Sequence, residues 1–328
     1  MTQRIFAYII HKKGVVDDTA LEMVSAAQRL GIDAPITAVV AGSGDELGTV
    51  CNAMAASYAE VWKIDDDALA YINAEVLREL LVRILPTDGI VLIPHEHFGM
   101  DLAPGLSVKL GAAYLPDAVD FEGIEDGYLK AVREEYSGQV NTHVLCDISQ
   151  GAVVTVRPGI FKADESQALQ GQIVDKSSEA LEEGRTDARR RYIEIVEAEV
   201  GDVDITKSEI LVSVGRGIED EDNMEIIFDL AEAMGGDVSC SRPVVDAKWL
   251  EKSRQVGTSG QTVKPKVYLA LGISGAFQHL GGIKGSPFIV AVNKNSKAPI
   301  FQSADIGVVA DILDFVPELT DRINEMKG

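Results

Sequence analysis

Between residues 241 and 279 the chain gathers glycines, hydroxyls, an arginine and a histidine. The pieces are Ser241-Arg242, then Gln255-Val-Gly-Thr-Ser-Gly260, then Gly272-Ile-Ser-Gly-Ala-Phe-Gln-His279. Glycine turns let backbone N–H groups come close to an anion, and a helix N-terminus adds a favourable dipole, so this combination suits a phosphate. The charge pattern agrees. The chain carries 52 acidic and 30 basic residues, yet residues 252–300 hold seven Lys or Arg and no Asp or Glu. An acidic protein that clears carboxylates from one Gly-rich stretch is expected to bind an anion there.

Smaller motifs add to this. Gly215-Arg-Gly217 follows the apolar run Ile210–Val214 and opens toward a helical pattern, the place where ligand phosphates sit in a doubly wound sheet. It is neither a Walker A loop nor a full GxGxxG, and by itself it reads more readily as a simple turn between strand and helix. Val267–Leu271 followed by Gly272-Ile-Ser-Gly-Ala276 repeats the pattern, with Gln278 and His279 directly after. Arg242, before Pro243, is either a surface charge or a flat guanidinium able to stack on an aromatic ligand; spacing leaves both open. His95-Glu-His97 lacks a further partner for a metal, His11 and His143 stand alone, and no Ser/His/Asp or Cys/His arrangement is visible, so no metal and no covalent catalysis are expected.

The elements that must position these residues follow from periodicity. Apolar runs alternate with helical spacing: strands at Ile5–Ile10, Ile36–Val40, Val61–Ile64 and Gly89–Pro94, and helices at Asp18–Leu30, near 46–57, at Glu75–Leu85 and at Met100–Gly111, with Pro104 expected in the first turn of the last. Tyr128–Tyr136, Thr142–Asp147 and Ala152–Arg157 are strand-like with no helix between them and are expected as antiparallel additions. Residues 163–190 read as a polar connector, and Arg189-Arg-Arg191 as a solvated surface. A second series has strands at Ile210–Val214, Val267–Leu271, Phe288–Val292 and Ile306–Val309 and helices at Asp222–Met234 and Ile312–Met326. The expected fold is α/β with two domains: an N-terminal Rossmann-like α/β domain over 1–190, a linker over 191–204, and a C-terminal doubly wound parallel-sheet domain over 205–328.

Composition bounds the function. A length of 328 residues allows one very large domain or two ordinary ones, and 46% hydrophobic content is ample for their cores. A formal charge of −22 argues against nucleic acid and anionic membrane surfaces. Residues 205–328 hold 13 basic and 17 acidic residues, so most of the negative excess lies before them. Three scattered cysteines without CxxC disfavour iron–sulfur clusters and structural zinc. The opening MTQRIFAYII reads as a first strand rather than a signal peptide, no apolar run is long enough to span a membrane, and a cytoplasmic location is expected.

Residues 209–328 resemble the FAD-binding domain of the α subunit of electron transfer flavoproteins. The resemblance rests on Val214-Gly-Arg-Gly-Ile218, Ser241-Arg242 with Val245-Asp246, Gln255-Val-Gly-Thr-Ser-Gly260, Gly272-Ile-Ser-Gly-Ala-Phe-Gln-His-Leu280, Val290-Ala-Val-Asn-Lys294, Ala298-Pro-Ile-Phe-Gln302 and Ala304-Asp-Ile-Gly-Val-Val-Ala-Asp311. Asp101-Leu-Ala-Pro104, Lys109-Leu-Gly111 and Thr155-Val-Arg-Pro-Gly159 resemble the family's first domain more loosely.

The resemblance implies an FAD site made of Arg216, Ser241, Arg242, the loop Gln255, Val256, Gly257, Thr258 and Ser259, the segment Ser274, Gly275, Ala276, Phe277, Gln278 and His279, and Asn293, Asp311 and Ile312 toward the adenosine end. It puts the Ser259 hydroxyl near flavin N5, His279 at the O2 edge and Arg242 over the ring, where donors and positive charge favour the negatively charged reduced forms. Thr258, where many members have Gln, and Phe277, often Ile or smaller, depart from the pattern.

It further implies a heterodimer with a β subunit, a swinging FAD domain, and an acyl-CoA dehydrogenase-type flavoenzyme as partner. The β subunit would hold either AMP, in a single-FAD shuttle, or a second FAD, in an electron-bifurcating form using NADH and ferredoxin. Arg242-Pro-Val-Val-Asp-Ala-Lys-Trp-Leu250 and Arg254-Gln-Val-Gly257 look closer to bacterial and anaerobic branches, which tilts the expectation toward bifurcation. The N-terminal half alone would also permit a non-redox adenine-nucleotide-binding sensor.

Overall fold

A computed structural model describes residues 4–136, 140–163, 168–182, 188–194, 203–284 and 287–327. The chain divides into two compact units, Met1–Glu194 and Ile195–Gly328.

The first unit is built on a nine-stranded sheet. Its strands are β1 (Ile5–Tyr8), β4 (Ile36–Gly42), β5 (Glu60–Asp65), β6 (Ile90–Pro94), β7 (Ala113–Glu125), β8 (Tyr128–Glu135), β9 (Val140–Asp147), β10 (Ala152–Val156) and β11 (Gln172–Asp175), in the order β11-β5-β4-β1-β6-β10-β7-β8-β9. A small antiparallel ribbon, β2 (His11–Lys12) with β3 (Val15–Val16), stands apart. Helices α1 (Thr19–Arg29), α2 (Glu46–Met54), α3 (Ala74–Ile84), α4 (His97–Leu110) and α5 (Ser177–Leu181) accompany it. Side chains alternate along β1: Ile5 and Ala7 enter one core, Phe6 and Tyr8 the other. A sheet covered on both faces needs strands that are apolar throughout, and β6 and β10 are buried at every position. In α3 the Asn73 side chain accepts the Glu75 N–H at 3.0 Å, which caps the helix, while Val76, Leu77, Leu80, Leu81 and Ile84 form its buried face.

Three expectations are corrected here. Ala152–Val156 is not an antiparallel addition; it pairs parallel with both β6 and β7, because strand-like composition carries no information about direction. Segment 163–190 is not a plain connector: Gln172–Asp175 adds a parallel edge strand to β5, and Ser177–Leu181 is helical. Pro104 is interior to α4, which starts at His97.

The arginine run is at the surface, as expected, but it is fastened. The backbone N–H groups of Arg189 and Arg190 both donate to Glu75, Arg190 pairs with Asp101, and the Tyr192 ring stacks on Tyr71 at 3.4 Å. The expected linker over 191–204 lies for the most part outside the described residues.

The second unit is a five-stranded, all-parallel sheet of β12 (Ile210–Val214), β13 (Asp237–Cys240), β14 (Val267–Leu271), β15 (Phe288–Val292) and β16 (Ile306–Val308), in the order β13-β12-β14-β15-β16. Its helices are α6 (Met224–Met234), α7 (Arg242–Asp246), α8 (Phe277–Leu280) and α9 (Ile312–Lys327). Val212, Val214, Leu269 and Leu271 pack toward α6 and α9; Leu211, Tyr268 and Ala270 face the opposite core. Gly235, at φ +68°, ends α6 in the left-handed conformation that glycine adopts without strain. The chain runs outward from β12 to β13 in one direction and to β14 in the other, so the sheet has its topological switch point between β12 and β14.

Candidate functional site

Every candidate residue of the second unit lies at or beyond the C-terminal end of a strand. Arg216 sits in the turn after β12, Ser241 and Arg242 follow β13, Ser274 to His279 follow β14, Asn293 follows β15, and Asp311 and Ile312 follow β16. The loop 255–261 joins them: Val256 N–H donates to the Cys240 carbonyl at 2.9 Å, and Thr258 N–H donates to the Gln278 carbonyl at 2.8 Å. Crevices at this edge of a parallel sheet, at its switch point, are where such folds hold nucleotide-like ligands.

Glycine makes the crossing of these loops possible. Gly217 N–H donates to the Gly272 carbonyl at 3.1 Å, and a Cβ on Gly215 would stand 2.4 Å from that same oxygen. Gly275, at φ +82°, has room for no side chain against the Ile300 backbone. With the turn held this way, the N–H groups of Ser274, Gly275 and Ala276 have no acceptor among the described residues. They form a short array of free donors, the chemistry a pyrophosphate needs. Ser274, Ala276, Phe277 and Gln278 are exposed, as are Thr258, Ser259 and Arg216.

Other members of the set act on each other. The Gln255 amide, buried, donates to Ser259 Oγ at 3.0 Å and so orients the hydroxyl. Asn293 Nδ2 donates to the Ile273 carbonyl at 2.9 Å and ties two strand ends together. Asp311 Oδ1 accepts the Leu313 N–H at the start of α9, and the Ile312 side chain is buried in the core beneath. Arg242, 69% exposed, is 3.4 Å from Asp246 one helical turn on, which leaves the guanidinium free to reorient onto a ligand.

His279 is the buried titratable member of the set. Its Nε2 lies 2.8 Å from the Tyr268 hydroxyl, which is itself 2.7 Å from Ser213 Oγ. Burial pushes its pKa down to about 4, only weakly opposed by a polar contact with the Val256 backbone. It is therefore a neutral hydrogen-bonding group at physiological pH and not a cation. Its Nδ1 is buried without a hydrogen bond of good geometry, an orphaned polar atom of the kind a bound ligand satisfies.

Two residues of the site carried no sequence signal. Tyr268 sits in an apolar strand and reads as core. Arg254 is 6% exposed and donates to the Val238 carbonyl at 2.8 Å, pinning the base of the 255–261 loop. The other histidines lie in the first unit or its surface: His95 Nδ1 meets Thr155 Oγ1 at 2.8 Å, His11 Nε2 meets the Ala41 carbonyl at 3.0 Å, and His143 stands 3.1 Å from Glu122. Among the described residues no cluster of three or more His, Cys, Asp or Glu could hold a metal ion, and no helix is long and apolar enough to cross a membrane.

Comparison with known proteins bears on both units. Residues 204–284 match the electron transfer flavoprotein FAD-binding domain, and residues 5–186 match the electron transfer flavoprotein domain, more than half of the chain. The electron transfer flavoprotein subunit alpha of Thermoanaerobacterium thermosaccharolyticum is 31% identical, with 98% of each chain covered. The chain belongs to the electron transfer flavoprotein α-subunit family. The family's subunit alpha from Methylophilus methylotrophus is 32% identical over 98% of this chain and 99% of its own. Subunit LctC of a lactate dehydrogenase (NAD(+),ferredoxin) from Acetobacterium woodii is 29% identical over 97% of this chain and 76% of its own length. The stretch matched by the family's FAD-binding domain, residues 204–284, lies within the second unit and takes in the candidate residues from Arg216 to His279, and the donor array, orphaned imidazole nitrogen and acid-poor loops fit an FAD.

Proposed function

We propose that this chain is the flavin-carrying half of a heterodimer that relays electrons, with FAD lying along the C-terminal edge of the β13-β12-β14-β15-β16 sheet. The observation that carries this is the convergence of Arg216, Ser241, Arg242, the 255–259 loop, 274–279, Asn293 and Asp311 on that one edge. The bound isoalloxazine would supply the one- and two-electron chemistry. The protein's residues hold and tune. Ser274 to Ala276 offer backbone donors to the phosphates, and Asp311 lies toward the adenosine end. Arg242 supplies positive charge over the ring, Ser259, oriented by Gln255, a hydroxyl at N5, and His279 a neutral donor at O2. Donors and charge at these positions stabilise electrons placed on the ring.

The functional boundary in this reading lies near residue 205: residues 1–190 pack on a β subunit, and 205–328 carry FAD between partners. An acyl-CoA dehydrogenase-type flavoenzyme is the exchange partner, in the cytoplasm. The name of the LctC relative, with NAD(+) and ferredoxin in it, supports a bifurcating form in which the β subunit holds a second FAD, NADH gives the electrons and ferredoxin takes one of them. The second reading is a shuttle with one FAD here and one AMP in the β subunit.

Co-purification with the β subunit, followed by counting FAD and AMP per heterodimer, tests these together. Two FAD and no AMP support bifurcation. One FAD with AMP supports the single-flavin shuttle. A colourless heterodimer overturns the electron-transfer reading and revives a non-redox nucleotide sensor.

A further inference from the structure

The turn after β12 contains a strained residue that is not a glycine. Glu219 sits at φ +71° and ψ −44°, and across it Asp220 N–H donates to the Ile218 carbonyl at 2.9 Å. This is a γ-turn of the rare, strained form, which a residue with a Cβ keeps only where its surroundings hold it. Asn223 helps to hold it, since its Nδ2 donates to the same Ile218 carbonyl at 2.9 Å. The turn delivers the Glu219 carboxylate to the Lys294 ammonium, and the two form an ion pair.

That pair spans the switch-point edge. Glu219 follows β12, Lys294 follows β15, and β14 lies between those strands. Neighbouring strands are about 4.8 Å apart, so the two backbones stand about 10 Å apart and their side chains meet over the head of β14. There the turn 272–276 emerges, with the N–H groups of Ser274, Gly275 and Ala276 that have no acceptor among the described residues. Both flanking turns are tied to it. Gly217 N–H donates to the Gly272 carbonyl, and Asn293 Nδ2 donates to the Ile273 carbonyl. Glu219 is two residues past the first tie, and Lys294 is one residue past the second.

Backbone N–H groups offer a phosphate partial charges only, whereas Lys294 offers a full one. Glu219 and, more weakly, Asp311 hold the Lys294 pKa above the ordinary lysine value, so it stays a cation. The pair is exposed, 60% at Lys294 and 51% at Glu219. An exposed pair holds weakly, so the ammonium can change partners at little cost.

We propose that Lys294 is a phosphate-binding residue of this site and that Glu219 is its placeholder. In the empty site the carboxylate keeps the ammonium over the turn 272–276, and a pyrophosphate seated on that turn takes the ammonium from it. The identity of the ligand as FAD rests on the reading above; the exchange needs only a pyrophosphate. The two residues therefore act on affinity with opposite signs. Loss of the ammonium weakens binding, and loss of the carboxylate charge strengthens it. A pair that merely braced the two turns would weaken binding when either member was changed.

ADP carries the pyrophosphate and the adenosine of FAD, and its titration into the full-length, FAD-free chain by calorimetry tests the exchange. Lys294→Met is expected to weaken ADP binding about tenfold, the loss of one charge-assisted contact. Glu219→Gln, of the same shape without the charge, is expected to tighten it about twofold to fivefold, the competition an exposed ion pair exerts. Lys294→Arg, which keeps the charge, should bind more tightly than Lys294→Met. Any pattern other than opposite signs at the two positions overturns the proposal, as does a wild-type chain that takes up no ADP. FAD loading of the heterodimer keeps the two readings apart. FAD uptake without the opposite signs on ADP removes the exchange and keeps the flavin. Opposite signs on ADP in a chain whose heterodimer takes up no FAD remove the flavin and keep the exchange.

Discussion

Gly217 N–H donates to the Gly272 carbonyl at 3.1 Å, joining the turn after β12 to the turn after β14 backbone to backbone. A Cβ on Gly217 would lie 2.7 Å from the Gly272 Cα, and Gly272 itself is at φ +62°. The two turns flank the switch point, and the 274–276 donors follow directly on the second of them.

Gly272→Ala is therefore expected to destabilise the second unit by about 1–3 kcal/mol, the usual cost of forcing a side chain into the left-handed region, with further loss from the displaced turn. Chemical denaturation checks the stability, and FAD content checks the site. Gly235→Ala is the control: its φ is also positive, at +68°, but its Cβ position is open, so stability falls while FAD loading is kept.

The His279 pKa, pushed down to about 4 by burial, links stability to pH. The unfolded histidine binds a proton near pH 6.5 and the folded one does not until about pH 4, so between these values the unfolded state holds more protons. Stability is full above about pH 6.5 and is lost as pH falls toward 4, by about 3 kcal/mol at most. Unfolding of the FAD-free chain across this range should lose that slope in His279→Gln. An equal slope in the variant assigns it to other groups.

Arg242→Ala separates holding from folding. The side chain is 69% exposed and its pairing with Asp246 is at the surface, so stability should change by about 0.5 kcal/mol or less. FAD affinity should drop roughly tenfold, the loss of one charge-assisted contact, with an altered flavin spectrum. Unaltered FAD content and spectrum after changing Arg242 and His279 together would remove both residues from the tuning role.

The three cysteines are buried thiols. Burial raises Cys51 to about 11 and Cys240 to about 12, and Cys146 is raised too. Thiolate is the reacting form, so a disulfide-exchange reagent at pH 8 should label none in the native chain within the time that it labels all three in denaturant. Fast labelling of Cys240 would show that the 240–256 bridge opens readily.

Much of this was legible in the sequence. β14 and β15 match their apolar runs residue for residue, because short buried strands bounded by glycine or polar residues have sharp edges. The edge strand Gln172–Asp175 was not, since three of its four residues are exposed and it has no alternation to show. β13, Asp237–Cys240, is short and half polar, and its strand character comes from pairing with β12. For the site, glycine and hydroxyl spacing pointed to the right loops. The Tyr268 contact with His279 was invisible, because it depends on which face of β14 turns toward the loop after it.

The strand β11 also bears on how the first unit is made. It pairs with β5, whose residues lie more than a hundred positions earlier. Until Gln172–Asp175 leaves the ribosome, the open side of β5 presents unpaired N–H and C=O groups, a template for misassociation with other nascent chains. Closure of that edge waits for nearly the whole unit, and loop-closure entropy over so long a separation makes it slow. Chains halted before residue 172 should therefore aggregate, while those released after Asp175 should stay dispersed, which makes this four-residue strand the seal on the first unit's synthesis.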